Sequence, residues 1–288
     1  MCRTVLFVLQ LCWCIPGLAQ QPLEKLENCI LVPTEWGDGD SFLIRTMEGK
    51  EFTGRLYGAD CLEWHIADDT DARRLRAQRR YFGIAQIGED PATSITLARG
   101  FGQQAAERAR ALLGQPFTVF TSWADARGDG RFARVYVFVR LADGRDLASV
   151  VVEEGLARAF GVYRGTPNGE TNEEFREAMR DLELQAAKLG RGIWSKTDWT
   201  ALPKERREQR QEEEEFALAA GTGKAVEGFV LDLNKAARDE LLKLPGIGEV
   251  IANRIIEARP FRSIDDLNRV PGIGEATLER IRPHLKIR

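Results

Sequence analysis

The order of residue patterns predicts an α+β fold followed by a small, separate all-α unit. Three observations carry this. Residues 29–59 hold three apolar, strand-like segments divided by turn residues. A helical-period stretch, two more strand segments and two more helical stretches follow, so strands and helices are segregated rather than alternating as βαβ units would. Finally, the PGIG of LLKLPGIGEVIANRII recurs 26 residues later in DLNRVPGIGEATLERI, an internal repeat.

At 288 residues the chain is long enough for one sizeable core and a smaller module. Its 43% hydrophobic and 30% charged content are those of a soluble globular protein. A net charge of -3 makes no global case for nucleic acid, so any such binding must come from local patches. With His65 and His284 as the only histidines, a zinc site or a Ser-His-Asp triad is poorly supplied.

Taken in order, MCRTVLFVLQLCWCIPGLAQ has Arg3 before an apolar run, then Pro16 and a small-x-small pattern at Gly17 to Ala19. That predicts a secretory signal peptide over 1–19 and an exported, periplasmic or secreted, mature chain. The run is short for a bilayer span, and neither Cys12 nor Cys14 follows the small residue a lipoprotein signal wants. Cys29 and Cys61 remain in the mature chain.

CILVPTEW, SFLIRT and EFTGRLYGA read as strands, with a glycine-rich turn, GDGD, between the first two. A charged segment with ARRLRAQRR comes next. If helical, it puts Arg73, Arg76 and Arg80 on one face with Arg74 and Arg79 flanking: either a solvated helix or a phosphate-steering lid. GFGQQAAERARALLG is an amphipathic helix, PFTVFTSW and RFARVYVFVR are strands, and DLASVVVEEGLARAF and NEEFREAMRDLELQAAKLG are helices. KERREQRQEEEEF is a charge block, read as a solvated helix or flexible linker over 198–227.

Chemistry concentrates in RLYGADCLE, residues 55–63. Arg55 lies on a strand, and Asp60 and Glu63 fall in an expected loop just past its end, with Gly58 marking a bulge or a close backbone approach. By itself this stretch reads better as a surface ion pair than as a site. Asp38 and Asp40 in the preceding turn add oxygen ligands of the kind that suit Ca²⁺ or Mg²⁺ rather than zinc. Arg131, in GDGRFARVY, is a second cation for a phosphodiester.

DGDS, RLYGADCLE, DGR and GIWSK, in that order and spacing, resemble the staphylococcal-nuclease-like (thermonuclease) family over about residues 29–197. The resemblance implies a small OB-like five-stranded β-barrel carrying helices. It implies Ca²⁺ held by Asp40, Asp60 and the backbone carbonyl of Cys61, with Asp38 orienting metal-bound water, though Asp38 is equally a plain turn residue. Glu63 would be the general base, and Arg55 and Arg131 would bind the scissile phosphate. The products would be 3′-phosphate ends of DNA or RNA. Tyr163 and Arg164 match a substrate-binding tyrosine-lysine pair, whereas Gly161 and Asp129 stand where the type enzyme has tyrosines. Cys61 and Leu62 replace the usual threonine and proline. Cys29 opens a strand whose nine residues span roughly 30 Å, and a disulfide needs Cα atoms within about 7 Å, so no Cys29–Cys61 bond is expected.

The C-terminal repeat, with LDLNKAARDELLKLPGIG, resembles the tandem helix-hairpin-helix module of competence-type DNA receptors over about 228–288. It implies that Gly246, Ile247, Gly248 and Gly272, Ile273, Gly274 offer backbone amides to phosphates without reading sequence. Glu249 and Glu275 oppose that, and the alternative is protein docking. The expectation is thus an exported, monomeric, Ca²⁺-dependent nuclease without a membrane span, carrying a DNA-binding tail. The alternative is a non-catalytic DNA receptor with the barrel as scaffold.

Overall fold

A computed structural model describes residues 21–88, 90–126, 134–222, 230–236 and 238–287. Five strands close a barrel: β1 (Glu24–Val32), β2 (Ser41–Arg45), β3 (Glu51–Leu56), β5 (Phe117–Asp125) and β6 (Arg134–Arg140). Their order is β1-β2-β3-β6-β5, and β5 pairs back on β1. The β3–β6 pair is parallel and the others are antiparallel. Ile44, Val119, Val137 and Val139 are fully buried, as alternation within a closed sheet requires.

Helices α2 (Pro91–Leu112), α3 (Leu147–Glu153) and α4 (Asn172–Lys188) pack around the barrel. Aspartates cap α2 and α3, and a Thr171–Glu174 capping box starts α4.

Two sequence expectations are corrected here. The stretch 146–160 is not one helix. It ends at Glu153, Gly155 takes φ +71°, and β7 (Ala157–Ala159) pairs antiparallel with β4 (Ala59–Cys61). Residues 60–61 are therefore strand rather than loop. Gly58, at φ +72°, makes the turn into β4, and its N–H reaches the Val162 carbonyl at 3.0 Å. A methyl group there would sit 2.9 Å from the Phe175 ring, so the close backbone approach is real.

The charged segment after Glu63 is helix α1 (Asp69–Tyr81), capped by Asp68, which accepts from the amides of Thr70 and Asp71. The charge block is helix α5 (Leu202–Thr222), one face of which lies against α1. Arg76 and Arg80 both pair with Glu212, and Arg206 donates to the Tyr81 carbonyl. Residues 1–20 lie outside the described part, and with them the expected signal peptide. No described helix is long and apolar enough to cross a membrane.

The C-terminal unit comprises β8 (Leu231–Asp232), α6 (Arg238–Leu241), α7 (Glu249–Glu257), a 3₁₀ turn (Ile264–Arg269), α8 (Glu275–Ile281) and β9 (Leu285–Lys286). Its apolar repeat positions, Leu241 with Leu267 and Leu244 with Val270, are all buried. Glu257 ties the unit to the barrel, accepting from Arg176 at 2.7 Å and from the Tyr163 amide at 3.0 Å.

Candidate active site and hairpin surface

The GDGD turn, the β3 end and β4 meet at one buried corner. Asp38 closes an Asx turn, its Oδ1 accepting from the amides of Asp40 (3.1 Å) and Ser41 (2.5 Å), which fixes the start of β2. Gly39 is required for the close approach that follows. A methyl there would lie 2.6 Å from Cys61 Sγ and 2.8 Å from the Ala105 Cβ.

Ser41 and Arg55 are register partners across β2–β3, so Asp40 and Arg55 become neighbours. Arg55 Nη2 lies 2.9 Å from Asp60 Oδ1 and 3.6 Å from Asp40 Oδ2. Asp40 Oδ2 also accepts the Cys61 amide at 2.8 Å, joining the turn to β4. On the β4–β7 ladder Asp60 faces Arg158, whose Nε donates to Asp60 Oδ2 at 2.8 Å.

Two residues of α1 complete the corner. Arg74 Nη1 pairs with Glu63 Oε1 at 2.8 Å, and their side chains are 10% and 13% exposed. Gln78, fully buried, donates through Nε2 to the Cys61 carbonyl (2.7 Å) and to Asp60 Oδ2 (3.0 Å), while its Oε1 accepts the Glu63 amide (2.9 Å). Four carboxylates, from Asp38, Asp40, Asp60 and Glu63, thus share one site with three guanidiniums.

The electrostatics follow from that crowding. Burial pushes the Asp60 carboxyl up, but Arg158 and Arg55, with the Gln78 hydrogen bond, hold it well below the usual carboxylate range. Burial raises Glu63, with Asp40 and Asp60 adding to the rise and Arg74 opposing it. Asp38 is raised well above its ordinary value, first by burial and then by repulsion from Asp40 and Glu63. The Glu63 carboxyl therefore holds a proton more readily than a free glutamate does.

The sequence-predicted residues Arg55, Asp38, Asp40, Asp60, Cys61 and Glu63 therefore converge. Arg131 lies outside the described residues. The oxygen donors are those of a hard cation, but in this arrangement they do not offer it a site. Asp40 is engaged by Cys61 and Ser41, Asp60 by Arg55, Arg158 and Gln78, and the Cys61 carbonyl by Gln78. Among the described residues no group of three acidic, histidine or cysteine side chains is placed to hold a metal.

Tyr163 and Arg164 are not presented to a substrate. Tyr163 is 4% exposed, edge-on to Phe175 with Arg176 over its ring. Arg164 is turned inward to Ser122 Oγ (2.5 Å) and the Gln21 carbonyl (2.7 Å). Cys29 and Cys61 are both buried free thiols.

Sequence patterns do not single out Arg74, Gln78 or Arg158 as site residues. The spacing of Arg74 and Gln78, one helical turn, is the one signal for a shared face. The face with Arg76 and Arg80, read as a solvated surface or a phosphate-steering lid, instead meets α5.

In the C-terminal unit each PGIG forms a turn in which Pro occupies the second position and a positive-φ glycine the third (Gly246 +83°, Gly272 +99°). The amides of Ile247 and Ile273 close these turns on the carbonyls of Leu244 and Val270, and both side chains are buried. They are thus structural, not phosphate donors, and the expectation narrows to the glycines. Gly248 and Gly274 are the N-caps of α7 and α8.

The hairpin turns also have cations beside them, supplied crosswise. Arg280 of α8 lies against Gly246, its Nη2 3.0 Å from where a Cβ would stand, and Arg254 of α7 donates to the Pro271 carbonyl at 2.8 Å beside Gly272. These two arginines are 26 residues apart, matched positions of the repeat.

A family model described as staphylococcal nuclease homologue matches residues 78–196, and one described as helix-hairpin-helix motif matches residues 226–286. The chain therefore carries a nuclease-like domain followed by a helix-hairpin-helix motif. No curated protein matches the chain. The first match starts at Gln78, so Asp38 to Glu63 lie ahead of it, and their grouping stands on the geometry above.

Proposed function

We propose that these two domains make a phosphodiesterase acting on DNA or RNA, with a tail that holds duplex backbone without reading sequence. The observation that carries the proposal is the convergence of Arg55 and Glu63 on one corner with Asp40 and Asp60.

In this mechanism Arg55, with Arg131, binds the scissile phosphate and stabilises the charge that develops on it. Glu63 takes the proton of a water as that water's oxygen attacks phosphorus in line. The bond from phosphorus to the 5′ oxygen breaks, the leaving oxygen is protonated from solvent, and a 3′-phosphate end remains. Arg74 must exchange Glu63 for a substrate oxygen or withdraw, because a carboxylate held in an ion pair is a weaker base. Calcium dependence is carried by the family resemblance and opposed by the engaged oxygens. Export of the mature chain remains part of the proposal, on the pattern of residues 1–19.

The deciding assay digests single- and double-stranded DNA and RNA with Ca²⁺, Mg²⁺ or chelator, comparing wild type with Glu63→Gln. Cleavage that needs Glu63 supports the reading. Equal cleavage by the variant, or none under any condition, defeats it. The second outcome favours a non-catalytic DNA-binding protein, the reading that the closed Arg74–Glu63 pair supports.

A further inference from the structure

α1 starts six residues after the candidate base and sends two side chains into the corner the base shares with Asp60. Gln78 has two amide hydrogens, and both are used, one on the Cys61 carbonyl and one on Asp60 Oδ2. Its oxygen is used as well, on the Glu63 amide. A hard cation would need those same two oxygens at about 2.3–2.6 Å. The Gln78 nitrogen, 2.7 Å from one and 3.0 Å from the other, stands in that space. Arg74 adds a fixed positive charge beside it and neutralises Glu63.

The opposite face of α1 is held by α5. Arg76 Nη2 and Arg80 Nη1 reach the two oxygens of Glu212 at 2.9 and 2.7 Å, and Arg80 also approaches Gln209 Oε1 at 3.4 Å. Glu212 at 43% and Arg76 at 55% are far more exposed than the corner, whereas Arg80, at 14%, is as covered as Glu63. One helix thus has an inner face on the carboxylates and an outer face on α5.

We propose that Gln78 and Arg74 are positioning residues that set the site's cation dependence. A docked α1 and a bound divalent cation are alternative occupants of the Asp60–Cys61 corner, and the Glu212 contacts weight the balance toward α1. The proposal rests on the nuclease reading for its choice of cation but concerns binding, not turnover. Both act on the Cys61 carbonyl and on Asp60 Oδ2, which Arg158 Nε also holds, so a cation there must displace the Gln78 amide. Loosening α1 from α5 costs the docked form stability without touching any oxygen a cation would use.

The test is calorimetric titration of the full chain with Ca²⁺ alone, for wild type, Glu212→Gln and Gln78→Ala, with hydrogen exchange of the α1 amides with and without Ca²⁺. Glu212→Gln should bind Ca²⁺ about three- to tenfold tighter than wild type, the scale on which two part-exposed ion pairs shift a two-state equilibrium. Saturating Ca²⁺ should speed exchange across residues 69–81. Gln78→Ala should bind more tightly still, and if it fails to fold, Glu212→Gln decides alone. Equal affinities in wild type and Glu212→Gln, α1 exchange insensitive to Ca²⁺, or no Ca²⁺ binding by a folded variant would each overturn the proposal. Altered affinity without cleavage would leave it standing and remove the nuclease reading. Cleavage with unaltered affinity would do the reverse.

Discussion

Asp60 and Arg158 face each other as register partners of the β4–β7 ladder, and their side chains pair at 2.8 Å with both 5% exposed. They are 98 residues apart in sequence, so the pair ties the carboxylate corner to the strand that follows α3. Arg55 and Gln78 occupy the remaining faces of the same carboxylate.

Removing one member of this cluster should be costly. Arg158→Ala is expected to destabilise the chain by about 3–5 kcal/mol, because it leaves a buried carboxylate short of a partner. Because the folded pKa of Asp60 is depressed, its contribution is present above the unfolded carboxylate value and is lost as pH falls through the folded one. Urea unfolding of wild type and Asp60→Asn should therefore differ at neutral pH, and the difference should shrink only in strong acid. A difference that vanishes by about pH 5 would contradict the assignment.

Glu63→Gln and Arg131→Ala should each reduce cleavage on the order of 10²-fold or more with the fold intact. Circular dichroism and thermal melts establish the intact fold, and initial rates on one oligonucleotide establish the loss. A tenfold loss or less for Glu63→Gln would show that another group takes the proton.

Gly39→Ala tests the close approach of the turn to β4 and α2. A Cβ at 2.6 Å from Cys61 Sγ and 3.1 Å from the Ala105 main chain has no flexible neighbour to displace cheaply. The expected cost is about 1–3 kcal/mol in urea unfolding. Since the same shift moves Asp40, cleavage should fall as well. An unchanged midpoint would mean that the turn is looser than described.

The hairpins are tested by the crosswise arginines. In a Glu63→Gln background, Arg254→Ala with Arg280→Ala should weaken binding to long duplex equally across sequences. The log–log salt slope should fall by about 0.9 for each phosphate the variant no longer neutralises. Point substitutions serve better than deletion here, because Glu257 docks the module on Arg176 and deletion would expose that face. Unchanged affinity and slope would transfer the module to protein docking.

Sequence alone determined the segregated strand and helix order, the 26-residue repeat and the ordered motif carrying Arg55, Asp60 and Glu63, because these rest on local periodicity and short spacings. A tight turn at each PGIG fits the same local logic, since proline presets one dihedral angle and glycine alone accepts the next. The β4–β7 ladder was not, because three residues after a glycine carry too little pattern to distinguish strand from loop, and their partner lies far along the chain. Nor was the fate of Tyr163, which local pattern leaves free on a surface and which the packing of Phe175 and Glu257 buries. The identity of the arginine facing Glu63 was likewise decided in three dimensions. A run of five arginines within residues 73–80 offers every face of a helix. Docking between the carboxylate corner and α5 selects Arg74 for one side and Arg76 and Arg80 for the other, because a helix has one orientation once both of its faces are bound.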